Sequence, residues 1–148
     1  MPSSKRKVIV DDIVTKLKSI TSPRIGKVSE KPAEFARLAR TAFPFVQVAV
    51  VNETKEDIAM NSWRLATMDV DITVHLEGKQ KTEKSEEQLA DLIEAIEEKL
   101  EADRTRGGPE NAQITEVLQV GDIEVSSYPT INQTIGVGVQ YTYSQGNT

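Results

Sequence analysis

Strict alternation of apolar and polar side chains over residues 68–76 constrains the fold of this chain more than any other feature. The apolar members of the segment are Met68, Val70, Ile72, Val74 and Leu76. The polar residues between them are Asp69, Asp71, Thr73 and His75. Because successive side chains of a β-strand point to opposite faces, the segment predicts a strand with one buried face and one polar face. Such a strand needs neighbouring strands and a layer that covers its apolar face.

Two other segments have the spacing of amphipathic helices, which could supply that layer. In the first, over about residues 6–20, the apolar stripe consists of Ile9, Ile13, Leu17 and Ile20. In the second, the stripe consists of Leu89, Leu92, Ile93, Ile96 and Leu100. The capping-box sequence Ser85-Glu86-Glu87-Gln88 predicts that the second helix begins at Ser85. Arg104 and Arg106 suit its negative C-terminal end, and the sequence Gly107-Gly108-Pro109 ends it.

The segments between the two helices predict a hairpin and a short edge element. Phe45 to Val51 is an apolar run interrupted by Gln47, which predicts a buried strand. The polar residues 52–61 that follow predict a loop. Residues 24–33 fit either a short edge strand or an ordered loop, and residues 33–42 fit a brief helical turn.

The end of the chain predicts two further β segments and completes the expected fold. Residues 112–120 continue through a turn at Gly121-Asp122 into 123–127, and a last strand alternates from Ile135 to Tyr143. We therefore expect an α+β fold, with a mostly antiparallel sheet of four to five strands and two helices on one face. The size fits a single domain over residues 1–148, with a flexible arm at 1–5 and a flexible tail at 144–148.

The amino-acid composition of the chain excludes several kinds of functional site. The chain has no cysteine, which excludes disulfides, thiolate zinc sites and cysteine nucleophiles. Its single histidine excludes a site built from several histidines. No apolar run approaches the roughly 20 residues that a bilayer span requires, and no signal core follows the basic start. We expect an intracellular-type protein with no cofactor, no metal and no membrane partner.

Charge is distributed unevenly along the chain. Residues 1–40 hold ten Lys and Arg against four Asp and Glu, a net charge of +6, whereas residues 41–148 hold eight against nineteen, a net charge of −11. Domains that bind nucleic acid usually carry a basic excess throughout, so no specific nucleic-acid binding is expected. A basic arm that includes Lys5, Arg6 and Lys7 suits self-association with the acidic body of another subunit. Two solvated helices of opposite sign would give the same distribution.

The polar face of the alternating strand is the candidate site, with Asp69, Asp71, Thr73 and His75 as its members. At the rise of a strand, Asp69 and Asp71 are about 7 Å apart and His75 is about 20 Å from Asp69. His75 is therefore too distant to act together with Asp69 on one metal ion or proton. A solvated or subunit-facing surface is the better interpretation, and no catalytic residue is expected.

Two glycines in the last strand need a separate explanation. Gly136 and Gly138 form a GxG sequence, but the third glycine and the following helix of a dinucleotide site are missing. Glycines on one face of a strand more often mark the close approach of another element.

The order of these segments, over about residues 6–143, resembles that of a known protein family. It comprises the N-terminal helix, the strand led by Phe43-Pro44, the alternating strand at 68–76, the helix that ends near Gly107-Gly108, and the closing strands. The series resembles the tail terminator proteins of long-tailed bacteriophages and prophages, the family of the lambdoid minor tail protein U. That family has no catalytic residues to carry over.

The resemblance implies a subunit that assembles as a homo-oligomeric ring, a hexamer, on the last ring of the tail tube. Such a ring stops tube polymerisation and forms the surface to which the head joins. Its partners would be further copies of itself, the tail tube protein and a head-completion or neck protein. Its place would be the head-proximal end of the virion tail, after assembly in the host bacterial cytoplasm. The alternatives are a head-closure or neck connector, a small enzyme that uses Asp69 or Asp71, and an adaptor domain.

Overall fold

The computed structural model describes residues 5–21, 23–30, 43–57, 63–77, 83–102, 106, 114–125 and 130–144. The helices are α1 (Lys5–Lys18) and α2 (Glu83–Ala102). The strands are β1 (Lys27–Ser29), β2 (Phe45–Asp57), β3 (Trp63–Glu77), β4 (Ile114–Val120), β5 (Glu124–Val125) and β6 (Thr130–Ser144). The predicted order of helices and strands, and the α+β class, are confirmed. Neither of these two helices is long and apolar enough to cross a membrane.

Five of the described strands lie side by side in the order β1-β2-β3-β6-β4, and the two-residue β5 also pairs with β6. The pairing of β1 with β2 is parallel, and the other pairings in the described part of the chain are antiparallel. β2 and β3 form a long hairpin, and β3 then pairs along its whole length with β6. The sheet is therefore mostly antiparallel, as predicted, with β3 at its centre.

Both helices cover one face of this sheet, which we call the inner face. The inner face of β3 carries its buried even-numbered residues, from Ala66 to Leu76, and these share one core with both helices. The helix residues in that core are Ile9, Ile13, Leu17, Leu89, Leu92, Ile93, Ile96 and Leu100. The two predicted stripes are confirmed, apart from Ile20, which lies beyond α1 and is partly buried. The opposite side, the outer face, carries the candidate polar residues of β3.

Several element boundaries differ from the prediction: β3 begins at Trp63 and not at Met68, and β6 begins at Thr130 and not at Ile135. β2 continues to Asp57, so residues 52–57 form a strand and not a loop. Their polar side chains had suggested a loop, but the backbone pairs with Arg64–Asp69 in the distal part of the hairpin. α2 begins at Glu83, so Ser85 lies in the first turn and does not cap the helix. The helical turn predicted at 33–42 lies outside the described residues, whereas the short edge strand predicted within 24–33 is present as β1.

β2 and β4, which flank the central pair β3 and β6, each contain a register shift. In β2 it falls between Val50 and Asn52, and in β4 it falls between Val117 and Gln119. An extra residue in one strand reverses the alternation of the side chains that follow it. Val50 thus lies opposite the inner-face residue Val70, and three residues later Glu53 is opposite the inner-face residue Met68.

Candidate interaction surfaces

The predicted polar face exists, and two glycines flank its carboxylates. Asp69 is half-buried on the outer face and lies between Asn52 of β2 and Gly138 of β6. Asp71 lies in the same way between Ala49 and Gly136. The Asn52 amide donates a hydrogen bond of 3.4 Å to Asp69 Oδ2. Gly136 is partly exposed beside Asp71, where another molecule could approach, whereas Gly138 is buried and lies against the side chain of Leu118.

Thr73 and His75 continue this face toward the other end of β3, but they differ from the carboxylates in their surroundings. Thr73 Oγ1 and Thr134 Oγ1 are hydrogen-bonded at 2.9 Å. His75 is buried against Phe45, with 6.0 Å between the ring centroids. This burial lowers the pKa of His75 below its ordinary value. The structure does not bring His75 to Asp69, since the two are six positions apart on one strand.

The three basic residues at the start of the chain are the other part of the predicted site. Lys5 is the first residue of α1. Arg6 Nη2 lies 2.6 Å from the carboxylate of Glu53, and Lys7 Nζ lies 3.0 Å from that of Asp11. Arg6 and Lys7 therefore already have anionic partners within their own chain.

Glu53 also accepts a hydrogen bond from the Tyr141 hydroxyl group. Burial, and then this hydrogen bond, raise the pKa of Tyr141 above its ordinary value. Arg6 is half-exposed whereas Glu53 is mostly buried. The contacts from Arg6 to Glu53 and from Glu53 to Tyr141 therefore lead from the surface into the core. Sequence analysis missed both Glu53 and Tyr141, because residues 52–57 had been predicted as a loop and Tyr141 as one position in an alternating strand.

Four large aliphatic side chains are exposed in the described part of the chain. Their exposed fractions are 39% for Val50, 56% for Val51, 60% for Leu118 and 48% for Val120. We call Val50 and Val51 the β2 patch, and Leu118 and Val120 the β4 patch. Each patch adjoins a register shift in its strand. Sequence analysis did not identify either patch, since alternation cannot show that an apolar strand position is uncovered.

The two patches lie on opposite edges of the sheet. β4 is the last strand of the five-strand order. On the other side, β1 pairs with β2 only over Phe45–Gln47. Among the described residues, no strand pairs with the remaining edge of β2 or with the far edge of β4. Both patches therefore accompany backbone that no described strand pairs with, and we call these two stretches the open edges of β2 and β4.

A groove lies between α1 and the open edge of β2. Its volume is about 400 Å³, and its lining includes Val10 of α1 with Val48 and Val50 of β2. Arg6 and Lys7 also line it. Asp11 and Glu30 line it too, so the groove combines an aliphatic floor with two basic and two acidic side chains.

Within the described ranges, no three His, Asp or Glu side chains are grouped closely enough to hold a metal ion. Comparison of the sequence with protein-family models and with curated proteins gives no match. The structure establishes the α+β fold class, and neither comparison indicates a family.

Proposed function

We propose that this chain is a structural subunit of a bacteriophage tail, a tail terminator that assembles as a ring at the head-proximal end of the tail tube. The observation that carries the proposal is the presence of two different exposed aliphatic patches on opposite edges of one sheet. The order of helices and strands, which is the basis of the resemblance to tail terminators, supports it as well.

Two patches at opposite edges favour one type of association. A two-fold dimer uses the same surface on both copies, whereas a head-to-tail contact joins two different surfaces. Three strand spacings separate β2 from β4, which is about 14 Å. The β2 patch of one copy is therefore free to meet the β4 patch of the next while its own β4 patch remains available. Repetition of such a contact closes into a ring when the rotation per subunit permits.

The size of the patches indicates a weak contact between free subunits. Full burial of one Val or Leu side chain contributes about 1.5–3 kcal/mol, and these four are already partly covered. Association also has to offset the loss of translational and rotational freedom. A ring of free subunits is thus expected to form reversibly, and to become firm when it is seated on a tail tube that supplies further contacts.

The outer face gives the subunit a second surface for such contacts. Asp69 and Asp71 are half-buried there, beside Gly138 and Gly136. A neighbouring protein could approach the sheet closely at Gly136, which has no side chain and is partly exposed, whereas the Leu118 side chain covers Gly138. In the proposed ring this surface contacts the tail tube or the head-joining protein. The ring size of six is taken from the family resemblance.

The test is the effect of the purified protein on growing tail tubes. Tail tube protein from the same genome is polymerised with and without the chain, and tube lengths and ends are measured by electron microscopy. The proposal predicts shorter tubes with extra density at one end. Tubes that grow to the same length with bare ends would contradict it. Binding to purified neck or portal assemblies instead of tube ends would favour the head-closure alternative.

A further inference from the structure

We propose that the contact between subunits is made by edge strands, with β4 of one copy docked along the open edge of β2 of the next copy. This inference rests on the self-association in the proposed function and names the two surfaces that meet. The occupant of the β2 edge and of the groove beside it is thus a second copy of this chain.

The topology of the sheet sets the direction of this pairing. Along the order β2-β3-β6-β4, each strand is antiparallel to its neighbour, so β4 runs opposite to β2. A rotation about an axis parallel to the strands leaves the direction of every strand unchanged from one copy to the next. If adjacent copies are related by such a rotation, β4 of one copy meets β2 of the next in antiparallel orientation. Antiparallel pairing would supply hydrogen-bond partners to the N–H and C=O groups of both edges that no described strand pairs with.

The apolar side chains of the two edges match on both faces of such a continued sheet. Val120 is opposite the inner-face residue Ile135, so it lies on the same side as Val50 and the groove beneath α1. Leu118 lies on the outer face, because a Cβ on Gly138 would be 2.8 Å from its Cδ1 atom. Because the pairing is antiparallel, the register that places Val120 opposite Val50 places Leu118 near Val51 and Asn52 of the β2 edge.

One pair of opposite charges on the two edges comes together in this orientation. Glu116 does not take part with Arg6 and Lys7, because it is opposite Gly138 on the outer face, whereas α1 lies on the inner face. Residues that follow Val120 run toward β1, and this brings the exposed carboxylate of Asp122 toward the exposed Lys27. Asp11 and Glu30 also line the groove, and Asp11 is paired with Lys7. Such pairs set register and salt dependence more than they set affinity.

A mixing experiment with two charged variants tests the contact. Val51→Asp places a charge in the β2 patch, and Leu118→Asp places one in the β4 patch; both positions are exposed, and circular dichroism checks that the variants fold. Analytical ultracentrifugation should show each variant alone as a monomer. An equimolar mixture should give a dimer, because the Leu118→Asp copy keeps an intact β2 edge and the Val51→Asp copy keeps an intact β4 edge. Glu94→Asp on the exposed face of α2 serves as the control and should associate like the wild type.

Cross-linking locates the contact independently, and the absence of cysteine makes it clean. Val51→Cys and Leu118→Cys copies carry different tags and react with a short bismaleimide. The expected product joins the two different variants, at a level well above self-cross-linking and above that of a Glu94→Cys control.

Three outcomes would overturn the inference. If Val51→Asp alone is monomeric while Leu118→Asp still dimerises, the contact joins two β2 edges. If the wild type is oligomeric but neither the mixing experiment nor the cross-link responds, the contact lies elsewhere and the proposed ring survives without it. If the wild type remains monomeric under all conditions, with tail tubes included, the proposed function fails together with the inference.

Discussion

Arg106 Nη1 lies 3.2 Å from Asp12 Oδ2, an ion pair that ties the segment after α2 to the middle of α1. Arg106 is fully buried, and its Nη2 also donates a hydrogen bond to the carbonyl oxygen of Leu100 near the end of α2. Its backbone has a φ of 55°, in the left-handed region that non-glycine residues seldom adopt. The prediction that Arg106 suits the negative end of this helix is confirmed, and its link to α1 adds a second role.

Asp12→Asn should lower the free energy of unfolding by about 3 kcal/mol, because it leaves the buried guanidinium of Arg106 without its charge partner. The matched control is Asp11→Asn. Asp11 is the preceding residue of α1 and pairs only with exposed Lys7 among the described ion pairs, so this change should stay within about 0.5 kcal/mol. Urea denaturation followed by circular dichroism measures both. Equal effects of the two substitutions would show that the Arg106 pair does not stabilise the fold.

Tyr141→Phe should lower the free energy of unfolding by about 1.5–3 kcal/mol, the range for a hydrogen bond to a charged group. The reason is that Glu53 would lose the hydroxyl group that its carboxylate bonds inside the core. A double-mutant cycle with Glu53→Ala, which removes the acceptor, isolates the interaction, and the two effects should be clearly less than additive. Strict additivity would mean that the two side chains do not stabilise each other.

The single histidine of the chain allows a direct titration. Burial lowers the pKa of His75, so its NMR-monitored midpoint should fall below the ordinary value of about 6.5. Between the folded and the unfolded pKa, the unfolded state binds more protons, and stability therefore decreases as pH falls below about 6.5. His75→Gln should lose this part of the pH dependence in denaturation at pH 7.5 and 5.5. A midpoint at or above 6.5 would contradict the buried, neutral imidazole.

The two outer-face glycines should respond differently to alanine. A Cβ on Gly136 would be 3.7 Å from its nearest neighbour, so Gly136→Ala should keep or raise stability by about 0.4–1 kcal/mol. A Cβ on Gly138 would be 2.8 Å from Cδ1 of Leu118, whose exposed side chain can move aside. Gly138→Ala should thus leave monomer stability nearly unchanged but weaken self-association, as measured by sedimentation. If both variants associated equally strongly, Leu118 would not take part in the contact.

The fold class and the buried helix faces could be predicted because they depend on local periodicity. The alternation from Met68 to Leu76 and the stripe from Leu89 to Leu100 each report burial directly, since each element has one apolar face. The close approach predicted at the glycines is confirmed at Gly138, where Leu118 approaches, but not at Gly136, where a Cβ would make an ordinary contact of 3.7 Å. These features require no knowledge of distant parts of the chain.

Other features depend on contacts that local composition does not encode. Residues 52–57 are polar, yet they form a strand because β3 supplies a long pairing partner. The shift between Val50 and Asn52 turns Glu53 toward the inner face, where it meets Arg6 and Tyr141. The basic start was predicted to contact another subunit. Arg6 and Lys7 each have an anionic partner within their own chain, and an additional contact of Lys5, Arg6 and Lys7 with another subunit stays a prediction.

The mass of the protein in solution tests the central claim most directly. Multi-angle light scattering should be recorded from low to high salt and over a wide range of protein concentration. We predict a monomer at low concentration and high salt, and a reversible larger species, most simply a closed ring of six, at high concentration and low salt. Lys7→Glu should weaken that species, because it reverses a charge beside the groove, whereas Glu94→Asp should not. A strict monomer under every condition, including with tail tubes present, would contradict the account.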